Sequence, residues 1–330
     1  MLRMTCSHAR RQNEQAPHAF HRKEMSRMRQ IAQNESFQQL FHCPSVLEFA
    51  GKVIRKSYVE CASGYEREMS EILERAFTVL TTSCSDHQDF HNALELVNND
   101  VFQKSNSDFW FNRIYSHYKR EQKPADRFRK LKEWLSGKTV LDVGCGNGLT
   151  SYILNQNGYE VFLTDVLDYR DVNAGKLPFK PMANPHIIPF PGMHFDTGLV
   201  FAVLHHVKLS DLPGLLDGLH RMCSHIIVEE DCFGVPDEMV RASLHDSMLQ
   251  EFSALSKEDQ LRSLKFIDYF ANAIAQGIPE MDMPFNFKSV NEWQQLFISH
   301  GFNISHTVLK GFQARYFNRT CHVWFILDAV

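Results

Sequence analysis

Two adjacent histidines, His205 and His206, follow an apolar run that ends at Leu204. Imidazole ionises near neutral pH, so either ring can act as a general base toward a hydroxyl. Either can equally hydrogen-bond a backbone group and orient a loop, and both roles stay open. Glu229, Glu230 and Asp231 close another apolar run. One of them can orient a histidine or bind a cationic acceptor. For at least two, capping the next helix or facing solvent is the expected role. No second acidic cluster at ligand spacing accompanies them, so no metal site is expected. Upstream, Val140-Leu-Asp-Val-Gly-Cys-Gly-Asn-Gly148 places glycines at 144, 146 and 148 just past an apolar stretch. Glycine lets the chain turn sharply and approach a ligand where a side chain would collide. Asp165 ends the next apolar run, and a carboxylate there can accept hydrogen bonds from both ribose hydroxyls of a nucleoside. Cys145 has no base beside it in sequence and is expected to fill space in the turn.

These residues need elements to hold them. Thr139–Val143, Val161–Leu163, Gly198–Leu204 and Ile226–Val228 read as short buried strands alternating with helical stretches. That alternation predicts a parallel sheet with helices on both faces. Asn303–Leu309 and His322–Leu327 read as a closing antiparallel hairpin. Ahead of the sheet the pattern is helical. Tyr65, Met69, Ile72, Leu73, Ala76, Phe77 and Leu80 form one apolar stripe, and Phe90, Ala93, Leu94, Val97 and Val101 form another. A third helix is expected from Asp108 as N-cap through Phe109, Trp110, Ile114, Tyr115 and Tyr118; the rings of Phe109, Trp110, Phe111, Tyr115 and Tyr118 are expected mostly to pack, with at most one or two capping the acceptor pocket. Lys119–Lys123 with Pro124 reads as a linker. The expected organisation is a disordered tail over 1–35, a helical region or cap over 36–125 and an α/β domain over 126–330. An inserted segment at about 235–285, with Val240, Leu244, Met248, Leu249, Phe252, Phe266, Ile267, Phe270 and Ile274 at helical spacing, is expected to act as a lid or a homodimer surface.

The glycine spacing separates two cofactors. A dinucleotide fingerprint is G-x-G-x-x-G, with a pyrophosphate on the helix N-terminus. Here the pattern is G-x-G-x-G preceded by Asp142. S-adenosylmethionine (SAM) has no phosphate but carries a cationic amino group that a carboxylate favours, so the spacing points to SAM. Val140–Gly148 resembles the first motif of class I SAM-dependent methyltransferases, and Phe195–Val207 resembles their fourth-strand motif. The resemblance covers roughly 127–330 and leaves the helical N-terminal third outside. It implies a Rossmann-like seven-stranded methyltransferase sheet whose last two strands form the hairpin. It also implies that Asp142, Gly144, Cys145, Gly146, Asn147 and Gly148 surround the methionine part of SAM, and that Asp165 and Val166 hold its ribose. Asn184 would meet the adenine amino group where many relatives carry an acid, and Phe201 with Ala202 would border the methyl donor. His206, and next His205, is the expected base.

Composition narrows the acceptor. The 330 residues carry a net charge of −4 and 44% hydrophobic side chains, unlike the basic footprint of a nucleic-acid binder. The site after the fourth strand reads Leu204-His205-His206, not the Asn/Asp-Pro-Pro-aromatic run of nucleic-acid amino-methyltransferases. Eight scattered cysteines without a C-x-x-C pair suit a reducing compartment. No run is long enough to span a bilayer, and the start, with Arg3, Arg10 and Arg11, reads as a frayed basic tail. A cytoplasmic methyltransferase acting on oxygen or nitrogen of a small molecule is expected. A protein methyltransferase and a SAM-binding protein without turnover are the alternatives.

Overall fold

The computed structural model describes residues 39–83, 87–104, 113–275, 283–312 and 319–329. The expectations for the tail 1–35 and for Asp108, Phe109, Trp110 and Phe111 lie outside them.

The chain opens with helices α1 (Pro44–Cys61), α2 (Glu66–Thr82) and α3 (His87–Leu96). Pro44 suits the first turn of α1, where no backbone N–H is required. α1 buries Val46, Phe49, Ala50, Val53 and Ile54, and α2 buries Met69, Ile72, Leu73, Ala76, Phe77 and Leu80. These are three-and-four spacings, so each helix turns one stripe inward. Lys119–Pro124, read as a linker, is helical instead. Wide turns over Tyr118–Gln122 run directly into α4 (Lys123–Leu131). Pro124 sits in the first turn of α4, at the change from wide to ordinary helical turns.

The sheet then forms in the expected alternation: β1 (Thr139–Val143), α5 (Leu149–Gln156), β2 (Glu160–Asp165), β3 (Phe179–Pro181), β4 (Phe195–Phe201), α6 (Leu212–Met222) and β5 (Cys223–Phe233). Three helices follow, α7 (Asp237–Ala242), α8 (Ser247–Ala254) and α9 (Lys257–Tyr269), the last continued by wide turns over Phe270–Ala275. The chain returns through β6 (Lys288–Ser289), α10 (Val290–Ser299), β7 (Phe302–Phe312) and β8 (Cys321–Ala329). The strand order is β3-β2-β1-β4-β5-β8-β7, and β6 pairs off this path with the end of β5. β1 to β5 are mutually parallel, while β8 runs antiparallel between β5 and β7. The seven-stranded Rossmann-like methyltransferase sheet is thus present with one two-residue strand added. Strand order reverses between β1 and β4, which opens a crevice at their carboxyl ends, where doubly wound sheets bind ligands.

Two apolar cores lie against the sheet, one around Phe195, Trp293 and Phe325 and the other around Leu163, Leu199 and Trp324. A third is mainly helical and joins α1–α3 to α8 and α9, reaching the ends of β7 and β8 at Phe312 and Cys321. Phe41 lies 4.5 Å from Phe266, Phe77 stacks on Phe270 at 5.4 Å, and Phe49 lies 5.5 Å from Phe252. The N-terminal helices and the insertion therefore bury each other's stripes. Neither alone could remove that apolar surface from water. Among the described residues, no helix is long and apolar enough to cross a membrane.

Candidate active site

The loop after β1 is built by three glycines with different jobs. All are left-handed, with φ of +71° at Gly144, +55° at Gly146 and +67° at Gly148. A Cβ at Gly144 would lie 2.3 Å from Val203 Cγ2, and one at Gly148 would meet Leu163 and Ala174 at 2.9 Å. A Cβ at Gly146 would meet nothing within 4 Å. Gly144 and Gly148 are therefore required by packing, whereas Gly146 is bare backbone beside open space. Gly146 N–H donates to Asp165 Oδ2 at 2.8 Å and Val166 N–H donates to Oδ1 at 2.7 Å. Burial raises the Asp165 carboxyl, against the pull of these N–H donors.

That space is a cavity of about 840 Å³ above the crevice, within the roughly 300–1,000 Å³ usual for ligand sites. Gly144, Gly146, Asn147, Asp165, Val166, Ala202 and His206 line it. Asp142, Cys145, Gly148, Asn184, Phe201 and His205 stand outside the lining. Asp142 is buried and accepts a 2.6 Å hydrogen bond from Ser151 Oγ. Burial outweighs that bond and Arg127, pushing the Asp142 carboxyl up to about 6. The half-buried Cys145 thiol faces Gly146 O at 3.8 Å, and burial raises it far above the ordinary thiol range. Asn184 caps a turn through its carbonyl, which accepts from Ile187 N–H, while its neighbours Met182 and Pro185 reach the cavity. Phe201 packs between Trp324, at 6.0 Å, and the Arg127 guanidinium, at 4.6 Å.

Ala202 is left-handed, with φ of 55°, a conformation that costs a non-glycine residue free energy and collects at functional sites. Its N–H donates to Glu229 O at 2.7 Å, holding the end of β4 against β5 as the chain bends into the histidine turn.

The histidine turn draws its partners from far away in sequence. Glu230 accepts from Val203 N–H at 3.1 Å, from Leu204 N–H at 2.7 Å and from His205 Nδ1 at 2.6 Å. Phe287 stacks on the His205 ring at 4.6 Å, and Asn286 donates its backbone N–H to His205 O and its amide to Val207 O. His205 is only 1% exposed. His206 points into the cavity instead, with Nε2 3.8 Å from Asp268 Oδ1. Asp268 comes from α9 in the insertion and accepts a 2.7 Å hydrogen bond from Asn272, which also lines the cavity. His205, His206 and Asp268 bring three metal-competent atoms within 4.8 Å of one another.

The acids on β5 do not face solvent. Glu229, Glu230 and Asp231 are 4%, 0% and 0% exposed, because β5 runs on through them as a central strand. Alternation sends Glu230 to the histidine side and the other two to the opposite face. There Glu229 pairs with Arg127 at 2.7 Å and accepts from Trp324 Nε1, while Asp231 pairs with His322 at 2.7 Å and accepts from Thr320. Burial raises the Glu229 carboxyl, but Arg127, His322, Trp324 and Lys123 outweigh it and bring it down to about 2. Asp231 is likewise held below its usual range by His322, against burial.

Asp268 and Asn272 were not singled out in the sequence, although they belong to the insertion expected to act as a lid or a homodimer surface. The helix expected through Tyr115 and Tyr118 continues into the stretch read as a linker, and Tyr115, Lys119 and Arg120 join the cavity wall. Burial, with Arg127 second, lowers the Lys119 ammonium to about 8. Asn147 Nδ2 donates to Lys119 O at 3.2 Å, placing this cation beside the glycine loop. Reading Lys119–Lys123 with Pro124 as a linker is what hid Lys119 and Arg120.

The bare backbone at Gly146, the Asp165 carboxylate at the end of β2 and the cavity between them suit an adenosyl cofactor. A methyltransferase-domain family model matches residues 115–307, and the chain belongs to that family. It is a class I SAM-dependent methyltransferase by fold and domain, with SAM as its cofactor. No curated protein matches the chain. Among solved structures it is similar to a SAM-dependent methyltransferase from Thermotoga maritima (12% identity, TM-score 0.45, covering 67% of this chain and 97% of that one). It is also similar to magnesium protoporphyrin IX methyltransferase from Synechocystis PCC 6803 with bound SAH (14%, 0.41, 71% and 99%). A third is a SAM-dependent methyltransferase from Methanosarcina mazei (16%, 0.40, 61% and 97%).

Proposed function

We propose that this chain transfers the methyl group of SAM to an oxygen or nitrogen of a small acceptor, with His206 taking the acceptor's proton. The observation that carries this reading is the roofed cavity. One wall is the glycine loop and Asp165, and the other is His206 with Asn272 from the helical layer. SAM, when bound, supplies a methyl group on a sulfonium that needs no further activation. The protein's work is to align the partners and keep water out. Asp165 is placed to accept from ribose hydroxyls, and Gly146 offers the close approach that a side chain would block. Lys119, beside the glycine loop, suits the carboxylate of the methionine part. His206 is half-buried, so its ring is shielded yet able to pass a proton to solvent. Helices α1–α4 and α8–α9 act together as the lid that selects the acceptor, which favours a small molecule over a peptide groove.

Calorimetry with S-adenosylhomocysteine and NAD, on wild type and Asp165→Ala, tests the cofactor site. The sulfur nucleoside should bind wild type, lose at least tenfold in the variant, and NAD should not bind. Methyl-labelled SAM incubated with the protein and a cell extract should then place label in the small-molecule fraction. Label in protein bands would replace the acceptor assignment with a protein methyltransferase. Cofactor binding with no label transferred to any fraction would make the chain a SAM-binding protein without turnover.

A further inference from the structure

The pairing of His205 has a consequence at its other nitrogen. With Nδ1–H donated to Glu230 at 2.6 Å, a neutral ring carries its lone pair on Nε2. That atom faces Asp268 Oδ1, which accepts from Asn272, at 3.9 Å, in a place where both residues are 1% exposed. Among the described residues, neither His205 Nε2 nor Asp268 Oδ2 has a hydrogen-bond partner. Buried polar atoms left unpartnered are costly, so the cluster suits a bound cation. A shared proton would need the two atoms near 2.7–3.2 Å, well inside the separation present. A metal ion bonded at about 2.0–2.2 Å to each side spans such a gap once the atoms close by a few tenths of an ångström.

We propose that His205, His206 and Asp268 form a binding site for a divalent transition-metal ion in the wall of the cavity. Two imidazoles and one carboxylate make a donor set for zinc, iron, cobalt or nickel, softer than the all-oxygen sets of magnesium and calcium. The supporting shell is already in place. Glu230 orients His205 through Nδ1, and Asn272 orients Asp268 through a 2.7 Å hydrogen bond, the second-shell arrangement typical of ligating histidines and carboxylates. Three protein ligands leave further positions on the ion, and His206 and Asn272 line the cavity, so those positions open toward the acceptor. An oxygen, nitrogen or sulfur donor on the acceptor would occupy them. An ion held through His206 Nε2 takes that lone pair, so His206 serves as a free base only in ion-free protein. Metal binding does not depend on SAM being the methyl donor.

The test titrates chelator-treated full-length protein with Co²⁺, which gives visible d–d bands on ligation by nitrogen, and then displaces it with Zn²⁺. Wild type, Asp268→Asn and His206→Gln are compared, because other histidines of the chain can bind metal weakly. Wild type should show one equivalent of Co²⁺ with d–d bands that both variants lose, through at least a tenfold weaker affinity. Cooperative thermal melts establish that each variant is folded. If Asp268→Asn does not fold, His206→Gln decides. Equal stoichiometry and spectra in wild type and variants, or folded wild type without d–d bands, would overturn the site. If wild type bound cobalt as described but not S-adenosylhomocysteine, the cofactor reading would fall and the metal site would stand.

Discussion

Gly144 and Gly146 stand two positions apart in one loop, both left-handed, yet alanine should harm the protein in different ways at the two. Each substitution pays about 1–2 kcal/mol to hold an L-residue in that conformation. Gly144→Ala also drives its methyl to 2.3 Å from Val203 Cγ2, an overlap worth about 1–3 kcal/mol more. Gly146→Ala adds no contact within 4 Å, so its stability cost stops at the backbone. At about 2–4 °C per kcal/mol for a domain of this size, Gly144→Ala should melt several degrees below Gly146→Ala. Gly144→Ala/Val203→Ala should recover part of the difference, since it removes the colliding methyls from a half-buried side chain. Binding should follow the reverse order. The Gly146→Ala methyl enters the space assigned to the cofactor, and calorimetry should show S-adenosylhomocysteine binding weakened at least tenfold in a folded protein. Equal melting temperatures for the two single variants would refute the packing reasoning. Unchanged affinity in Gly146→Ala would refute the placement of the cofactor against that backbone.

Two further outcomes follow from the buried charges. Arg127 and Glu229 form an ion pair at 2.7 Å with side-chain exposures of 13% and 5%, so Arg127→Met should cost about 3–5 kcal/mol by stranding the carboxylate. Arg127→Met/Glu229→Gln should regain part of this in urea unfolding, and additive losses would show that the pair is uncoupled. Because the Glu229 carboxyl lies at about 2 in the folded protein, below its ordinary value of 4.5, its contribution is complete above pH 4.5 and is lost as pH falls toward 2. In Arg127→Met burial is less opposed and the folded value rises toward 4.5, so this acid-side loss should shrink. At the cavity wall, the Lys119 ammonium, lowered to about 8, discharges as pH rises through that value. S-adenosylhomocysteine affinity should therefore fall between pH 7 and 9 in wild type. Lys119→Met should be about tenfold weaker at pH 7, the worth of one charge-assisted hydrogen bond, with a flat profile; a wild-type-like profile would remove Lys119 from the site.

By itself the sequence determined the sheet and its cofactor edge, because these depend on local rules. A buried parallel strand must be a short apolar run, a left-handed turn against a ligand must be glycine, and Asp165 must end β2 to stand beside that turn. The apolar stripes of α1 and α2 were legible for the same reason, since helical periodicity needs no knowledge of what covers it. Tertiary structure alone decided which charge meets which. Glu230 reaches His205 because β5 lies beside β4 in the sheet, and Asp268 reaches His206 because α9 folds back over the crevice. The three acids of β5 looked like a solvated strand end, and only the continuation of the strand between β4 and β8 buried them and forced each to find a partner. The lid was likewise invisible as a unit. Its core is shared between helices far apart in the chain, and apolar periodicity says that a face must be covered without saying by what.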